Sequence, residues 1–559
     1  MLKYNILIGG EAGQGMDTLA VLLEKILKRQ GYYVFSNKDY MSRIRGGHNF
    51  IQLRFGTETI VSHHPVLDVM IALDQRTIET HIDRLQEKGI IICDDSLQSE
   101  DTRVISMALK ETAKGIGNIK VFGSIAIGAV MKLFGLTINQ VEEVFKEKFD
   151  GETSMVNIAA FQKGYELVES YFQIDSPAED NHILINSNQA IALGALAAGV
   201  SFYAGYPMTP ATSIMTYLSE KQEDAGIVVE QVEDEISAIN MAIGASYAGA
   251  RAMTGTSGGG FSLMVEALGL AGITETPLVV ANIQRPGPAT GLPTRTEQSD
   301  LSFVLTASHG EIPRMVIAVR NPEDAFYQTA RALNLADKYQ MLVILLGDQF
   351  LSDAMETIEP FDFGRIAINR YLAGKEVVTE DEYIRYQLTE NGLSPRIIPG
   401  KNEGQIVLVD SDEHNEYGHI TEAAEIRSNM MEKRMKRMVY LKKEILEPNY
   451  YGVKHPEVLL LGWGSMDGPL KEAIELLQKD GIGAGALAFG DLYPLPTKLL
   501  DKYSSSALKI INVEQNYTGQ LAKLIRQETG IVCHNSILKY DGRQMSGYEI
   551  YLRLKGEVL

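Results

Sequence analysis

Strand-length apolar runs alternate with amphipathic stretches along almost the whole chain, the pattern of βαβ units and parallel sheets. A first block opens with YNILI (4–8) and a glycine-rich turn. An amphipathic helix over about 17–29 follows, then YYVFS (32–36), VMIAL (69–73), GIIICDD (89–95) and a helical stretch at 141–149. The polar segment QIDSPAEDNHILINSNQ (173–189) has the proline and the clustered Asp, Glu and Asn residues of a linker. A second block then runs helix (189–199), strand VSFYAG (200–205), turn YPMTP, strand VVEQ (228–231) and helix DEISAINMAIGASYAG (234–249). Strand ARAMTGTS (250–257), helix FSLMVEALGLAG (261–272) and strand PLVVANIQ (277–284) continue it, and MLVILLGD (341–348) is expected to close its sheet.

From 361 to 451 the pattern degrades into loops and one highly charged helix, about 420–446, expected to be a solvated or subunit-contacting connector. α/β alternation restarts with EVLLLGWGS (457–465) and ends after the helix at 518–530. The expected domains are therefore 1–175, a linker at 176–188, 189–360, a connector at 361–452 and 453–559. That number suits 559 residues, which are too many for one core.

The net charge of −20 argues against a nucleic-acid partner and against an anionic membrane surface. Cys93 and Cys533, the chain's two cysteines, supply neither a disulfide framework nor a four-cysteine iron–sulfur cluster, and point to a reducing, cytoplasmic compartment. The uncharged stretch at 190–207 is broken by Gly194, Gly199, Gly205 and Pro207, so a helix and a strand are expected there and not a membrane span. His414 and His419 lie five apart with no third ligand, so no metal site is expected at them.

Several loops have the composition of ligand sites. In Gly9-Gly10-Glu11-Ala12-Gly13-Gln14-Gly15, between a strand and a helix, Gly13 and Gly15 would let backbone N–H groups approach an anion. The spacing is neither the dinucleotide fingerprint nor a P-loop, and a plain tight turn stays open. Ser42-Arg43-Ile44-Arg45-Gly46-Gly47-His48 sets Arg45 beside paired glycines, suited to a phosphate or carboxylate, or to a charged interface loop.

In the second block, Tyr206-Pro207-Met208-Thr209-Pro210 is a rigid turn at a strand's C-terminal end, the edge where open α/β sheets bind ligands. Glu233, Asp234 and Glu235 start a helix. Thr256 and Ser257 lead the glycine turn 254–260, and Arg285 follows a buried strand in a Pro/Gly-fixed loop, suited to gripping a carboxylate. Four such loops at one sheet edge mark a candidate ligand site.

GEAGQG, YPMTP, EDEISAINMAIGAS, TGTSGGG and QRPGPATGLPT, in this order, resemble the 2-oxoacid:ferredoxin oxidoreductases, in the form with a gamma domain fused in front of the alpha subunit. The resemblance covers essentially the whole chain. It implies a multidomain α/β fold: a Rossmann-like gamma domain, a pyrimidine-binding domain for thiamine diphosphate (TPP) and a transketolase C-terminal-like domain. It implies that Glu235 hydrogen-bonds N1′ of the aminopyrimidine as the catalytic residue. By the same resemblance, Thr209 and Arg285 bind the 2-oxoacid carboxylate, and Tyr206, Pro207, Thr256 and Ser257 line the cofactor. Gly13, Gly15 and Arg45 are the candidates for CoA or anion binding, and Arg295 and Arg43 for reading a distal carboxylate.

The implied reaction is CoA-dependent oxidative decarboxylation of a 2-oxoacid to acyl-CoA and CO2, reducing ferredoxin. 2-Oxoglutarate leads, and branched-chain or aryl 2-oxoacids and pyruvate remain alternatives. No G-D-G…N motif for Mg2+-diphosphate is found, so Mg2+, the TPP diphosphate and a 4Fe-4S cluster are expected on a beta subunit, in a dimer of alpha–beta units. The missing motif also counts against a stand-alone TPP lyase. Thr209, Glu235 and Arg285 together count against a non-catalytic assembly subunit.

Overall fold

The computed structural model describes residues 3–41, 47–177, 181–374 and 383–558. The chain forms two compact units: Met1–Asn186 with Asp353–Pro360 and Ser546–Tyr548, and Ser187–Ser352 with Phe361–Met545 and Glu549–Leu559.

The first unit is built on an eight-stranded sheet. From edge to edge the strands are Val104–Met107, Leu85–Asp94, Leu67–Ala72, Lys3–Glu11, His48–Gly56, Tyr33–Asp39, Met355–Ile358 and Ile183–Ile185. The first four run parallel and the rest pair antiparallel. Successive side chains of a strand point to opposite faces. Ile6 and Ile8 therefore join the large core under Met16–Arg29, Phe122–Leu133 and Gly151–Glu166, while Leu7 joins a smaller core with Met70 and Ile91. The antiparallel part of the sheet departs from the all-parallel expectation. His48–Gly56 reads poorly as a strand because Gln52 and Arg54 are buried polar residues on it, with Arg84 donating to Gln52 and Arg54 donating to Ser62 O.

The second unit holds two sheets. The seven-stranded one runs Asp491–Tyr493, Arg314–Ala318, Leu342–Asp348, Leu278–Gln284, Ala252–Thr256, Phe202–Gly205, Val228–Gln231, and is parallel except for its first strand. Leu342–Asp348 thus lies inside the sheet and does not close it, because the five-residue strand Arg314–Ala318 and the antiparallel Asp491–Tyr493 extend that side. The five-stranded sheet runs Asn449–Gly452, Ala484–Phe489, Val458–Trp463, Lys509–Glu514, Asn535–Leu538.

The charged helix forms over Ala424–Leu441, shorter than expected, solvated along one face and buried along the other. Lys433, Arg434 and Arg437 are buried on it, where Glu275 and Glu413 accept their charges. The stretch 190–207 forms the helix Ser187–Ala197 and the strand Phe202–Gly205. Among the described residues no helix is long and apolar enough to cross a membrane.

A candidate active site at the strand ends of the second unit

Four neighbouring parallel strands, Leu278–Gln284, Ala252–Thr256, Phe202–Gly205 and Val228–Gln231, deliver their C-terminal ends to one sheet edge. The loops carrying Arg285, Thr256, Tyr206 and Glu235 start there.

The three adjacent acids have different fates. Glu233 is exposed and accepts from Ser237 Oγ at 2.5 Å. Asp234 is the N-cap of Glu235–Tyr247, its side chain accepting from Ser237 N at 2.8 Å. Glu235, the first residue of that helix, is 3% exposed; the Thr256 side chain hydrogen-bonds its carboxyl, and Oε1 has no geometric hydrogen-bond partner among the described residues. Burial pushes its carboxyl above the usual range, with Asp234 adding to the shift.

The carboxyl lies against the glycine turn. A Cβ on Gly260 would collide with both Glu235 Oε1 and Thr256 Oγ1, so only glycine leaves room for the pair. Thr256 and Ser257 are fully buried, and Ser257 Oγ, Thr254 Oγ1 and Asn282 Oδ1 likewise lack partners among the described residues. Buried polar atoms are nearly always satisfied. Four unsatisfied ones on adjacent strand ends mark a place built to meet an exogenous group with donors and acceptors of its own.

Tyr206 and Pro207 are exposed at the same edge. Arg285 is half-buried and donates from Nη1 to Thr209 O at 2.7 Å, tying the YPMTP turn to the RPGP loop and leaving its remaining donors free for an anion. Arg295 packs its stem near Gly542. Arg43 and Arg45 lie outside the described residues.

Three polar residues of this edge, Asn282, Glu297 and Asp300, were not singled out from sequence. Asn282 donates to Asp300 Oδ2 at 3.1 Å, and Asp300 N donates to Gln284 Oε1 at 3.0 Å. A Cβ on Gly258 would strike the Asp300 carboxylate. Burial pushes Asp300 up to about 6, and burial together with Asp300 pushes Glu297 up to about 7. The available signal was the alternation Asn282, Gln284 on one face of an otherwise apolar strand.

The first unit has its own cavity, about 550 Å3, beside the first glycine turn. Gly13 and Gly15 line it with φ of 94° and 85° and open space where a Cβ would sit. Gly15 is the N-cap of Met16–Arg29. Lys38 also lines the cavity; burial opposes its charge, but Asp17 at 2.8 Å holds its ammonium above the usual range.

Three family models match in succession. Pyruvate ferredoxin/flavodoxin oxidoreductase covers residues 5–167. The thiamine-diphosphate-binding domain of pyruvate flavodoxin/ferredoxin oxidoreductase covers 193–433, and pyruvate:ferredoxin oxidoreductase core domain II covers 456–550. The alpha subunit of a 2-oxoacid:ferredoxin oxidoreductase from Sulfolobus sp is 34% identical over 97% of this chain and 95% of its own length. The 2-oxoglutarate synthase subunit KorA of Archaeoglobus fulgidus is 33% identical over 62% of this chain and 90% of its own. A solved 2-oxoglutarate:ferredoxin oxidoreductase from Magnetococcus marinus, with 2-oxoglutarate, coenzyme A and succinyl-CoA bound, covers 100% of both chains at 31% identity and a TM-score of 0.94. With these matches spanning both units, the chain belongs to the 2-oxoacid:ferredoxin oxidoreductase alpha-subunit family.

Proposed function

We propose that this chain is the catalytic alpha subunit of an enzyme that oxidatively decarboxylates a 2-oxoacid, 2-oxoglutarate foremost, with CoA as acyl acceptor and ferredoxin as electron acceptor. The observation that carries the reading is the buried Glu235 carboxyl, its Oε1 unpartnered among the described residues, seated against Gly260, where a Cβ is excluded. An aminopyrimidine ring fits that setting: it is flat and carries nitrogen atoms that can answer Glu235 and the nearby hydroxyls. Bound TPP supplies the electron sink for loss of CO2 from a 2-oxoacid.

The chain's own residues do the rest. Glu235 holds a proton in a hydrogen bond at N1′, and its burial strengthens that bond. Thr256 and Ser257 line the ring, while Tyr206 and Pro207 flank it. Arg285 grips the substrate carboxylate with the donors that Thr209 O leaves free, and the Thr209 hydroxyl completes that contact. In the first unit, Gly13, Gly15 and Lys38 bind anionic groups of CoA at the helix start.

With two cysteines in the whole chain, the 4Fe-4S cluster is assigned to a cytoplasmic beta-subunit partner, together with Mg2+ and the diphosphate, in a dimer of alpha–beta units. 2-Oxoglutarate is preferred because a solved relative that covers the full chain has it bound.

The test is CoA-dependent dye reduction by the chain co-purified with its cluster-bearing partner, over a panel of 2-oxoacids. Activity with 2-oxoglutarate that is lost in Glu235→Ala supports the reading. A preference for pyruvate, a branched-chain or an aryl 2-oxoacid keeps the class and replaces the substrate. An intact, cluster-loaded complex inactive on every acid would leave an assembly subunit as the better account.

A further inference from the structure

In one cluster of the second unit, among the described residues, buried cations outnumber the carboxylates they meet. Arg251, Arg385, Arg396, Lys433 and Arg437 are each 5% exposed or less, and the carboxylates they meet are Glu275 and Asp337. Glu275 takes Lys433 at 2.6 Å and Arg437, with Arg385 adding to the field on it. Asp337 takes Arg251 at 2.8 Å and Arg396 at 2.7 Å, and half-buried Arg370 at 3.1 Å. The other guanidinium bonds go to neutral oxygens: Arg437 to Gly392 O and Gln340 O, Arg251 to Ala198 O and Asn369 O, Arg385 to Gln340 Oε1 and Glu275 O. Those acceptors satisfy hydrogens and add no net charge.

Lysine can relieve the excess by losing its proton, and burial brings Lys433 down to about 7. Arginine does not deprotonate in a protein. Even with Lys433 neutral, four buried guanidiniums face two buried carboxylates among the described residues, and an uncompensated buried charge is costly.

Arg385 and Arg396 line a cavity of about 10 Å3, room for one water-sized species. Arg396 Nε is buried without a hydrogen-bond partner among the described residues, and Thr274 and Thr276 also line the cavity. We propose that this cavity binds one small monovalent anion of chloride size, held between Arg385 and Arg396. Such an ion adds negative charge beside the two guanidiniums that line the cavity. Ser246 and Tyr247, the C-terminal end of the helix that Glu235 begins, also line the cavity. The anion therefore fastens the segment carrying Arg385 and Arg396 to the far end of the Glu235 helix.

The test uses the full-length wild-type chain, crystallised from about 0.2 M bromide, a concentration chosen to exceed a millimolar Kd. The expected result is an anomalous difference peak between the Arg385 and Arg396 guanidiniums. In solution, replacing gluconate by chloride at fixed ionic strength is expected to raise Tm by about 2–4 °C with saturation. Arg396→Gln is expected to abolish that rise, and if this variant does not fold the wild-type pair of measurements decides. No anomalous peak means the occupant is water and overturns the proposal. A peak with no saturable chloride effect on wild-type Tm marks an adventitious ion only and overturns it equally.

Discussion

Asp234 and Glu235 are neighbours at one helix start, and the chain uses their carboxylates in opposite ways. Asp234 stabilises the helix by accepting Ser237 N, a cap contributing about 1 kcal/mol. Glu235 is buried with Oε1 unpartnered, which costs stability in the free chain. Glu235→Gln removes the ionisable group and keeps the shape. The expected outcome is a kcat at least about 100-fold lower in the assembled enzyme, the scale of a positioned proton-holding group. Tm of the chain is expected to stay level or rise by about 1 °C, since no hydrogen bond is lost to Oε1. A fall of several degrees would assign Glu235 to folding and not to chemistry. Sequence reading reached Glu235 through motif resemblance, because spacing alone does not distinguish three consecutive acids; burial does. Asn282 and Asp300 were not legible, since their contact joins positions 18 apart across a strand end and a loop.

Between elements, close approach is decided by single hydrogens. The helices Phe122–Leu133 and Gly151–Glu166 meet through two glycines. A Cβ on Gly128 would collide with Phe161 O, and one on Gly164 with Ile125 O. Both obstacles are backbone, so relief requires the helices to separate and gives up core contacts. Gly128→Ala is therefore expected to destabilise the chain by about 2–3 kcal/mol despite alanine's better helix propensity, read as a lower Tm. Gly115→Ala is the control. It lies in the helix Leu109–Ile116 with open space around it, and is expected to be neutral or stabilising by about 0.5–1 kcal/mol. Met16–Arg29 and Glu235–Tyr247 were legible from their apolar pattern, but Phe122–Leu133 and Gly151–Glu166 were not read, the first because it is buried on nearly every side and shows no polar face. His48–Gly56 was not read as a strand because its second face carries buried, partnered Gln52 and Arg54, which look like surface in a one-dimensional pattern. The same reversal hid the buried side of Ala424–Leu441, where a run of charges is an ionic core.

At the scale of the whole molecule, two sets of buried groups pull stability in opposite directions with pH. Burial lowers His64 to about 4 and His81 to about 3, so the unfolded chain binds their protons first and stability falls as pH drops below about 6.5. Burial raises Glu297 to about 7 and Asp300, Asp348 and Asp68 to about 6. There the folded chain binds protons more tightly, so stability falls as pH rises from about 4 to 7 and then levels off. The slopes overlap and partly cancel, so the wild-type profile is expected to be shallow between pH 5 and 7, and variants must separate the sets. Glu297→Gln keeps the shape and removes a titration that Asp300 reinforces. At pH 4.5, where folded Glu297 is protonated, the variant should match wild type. At pH 8, where wild type holds two neighbouring ionised carboxylates, it should be more stable by about 2 kcal/mol, or about 2–4 °C in Tm. The pair titrates jointly, so Asp300→Asn should shift the midpoint of the remaining pH dependence downward, toward an isolated glutamate. Equal Tm gains at both pH values would mean that packing, not charge, governs this loop.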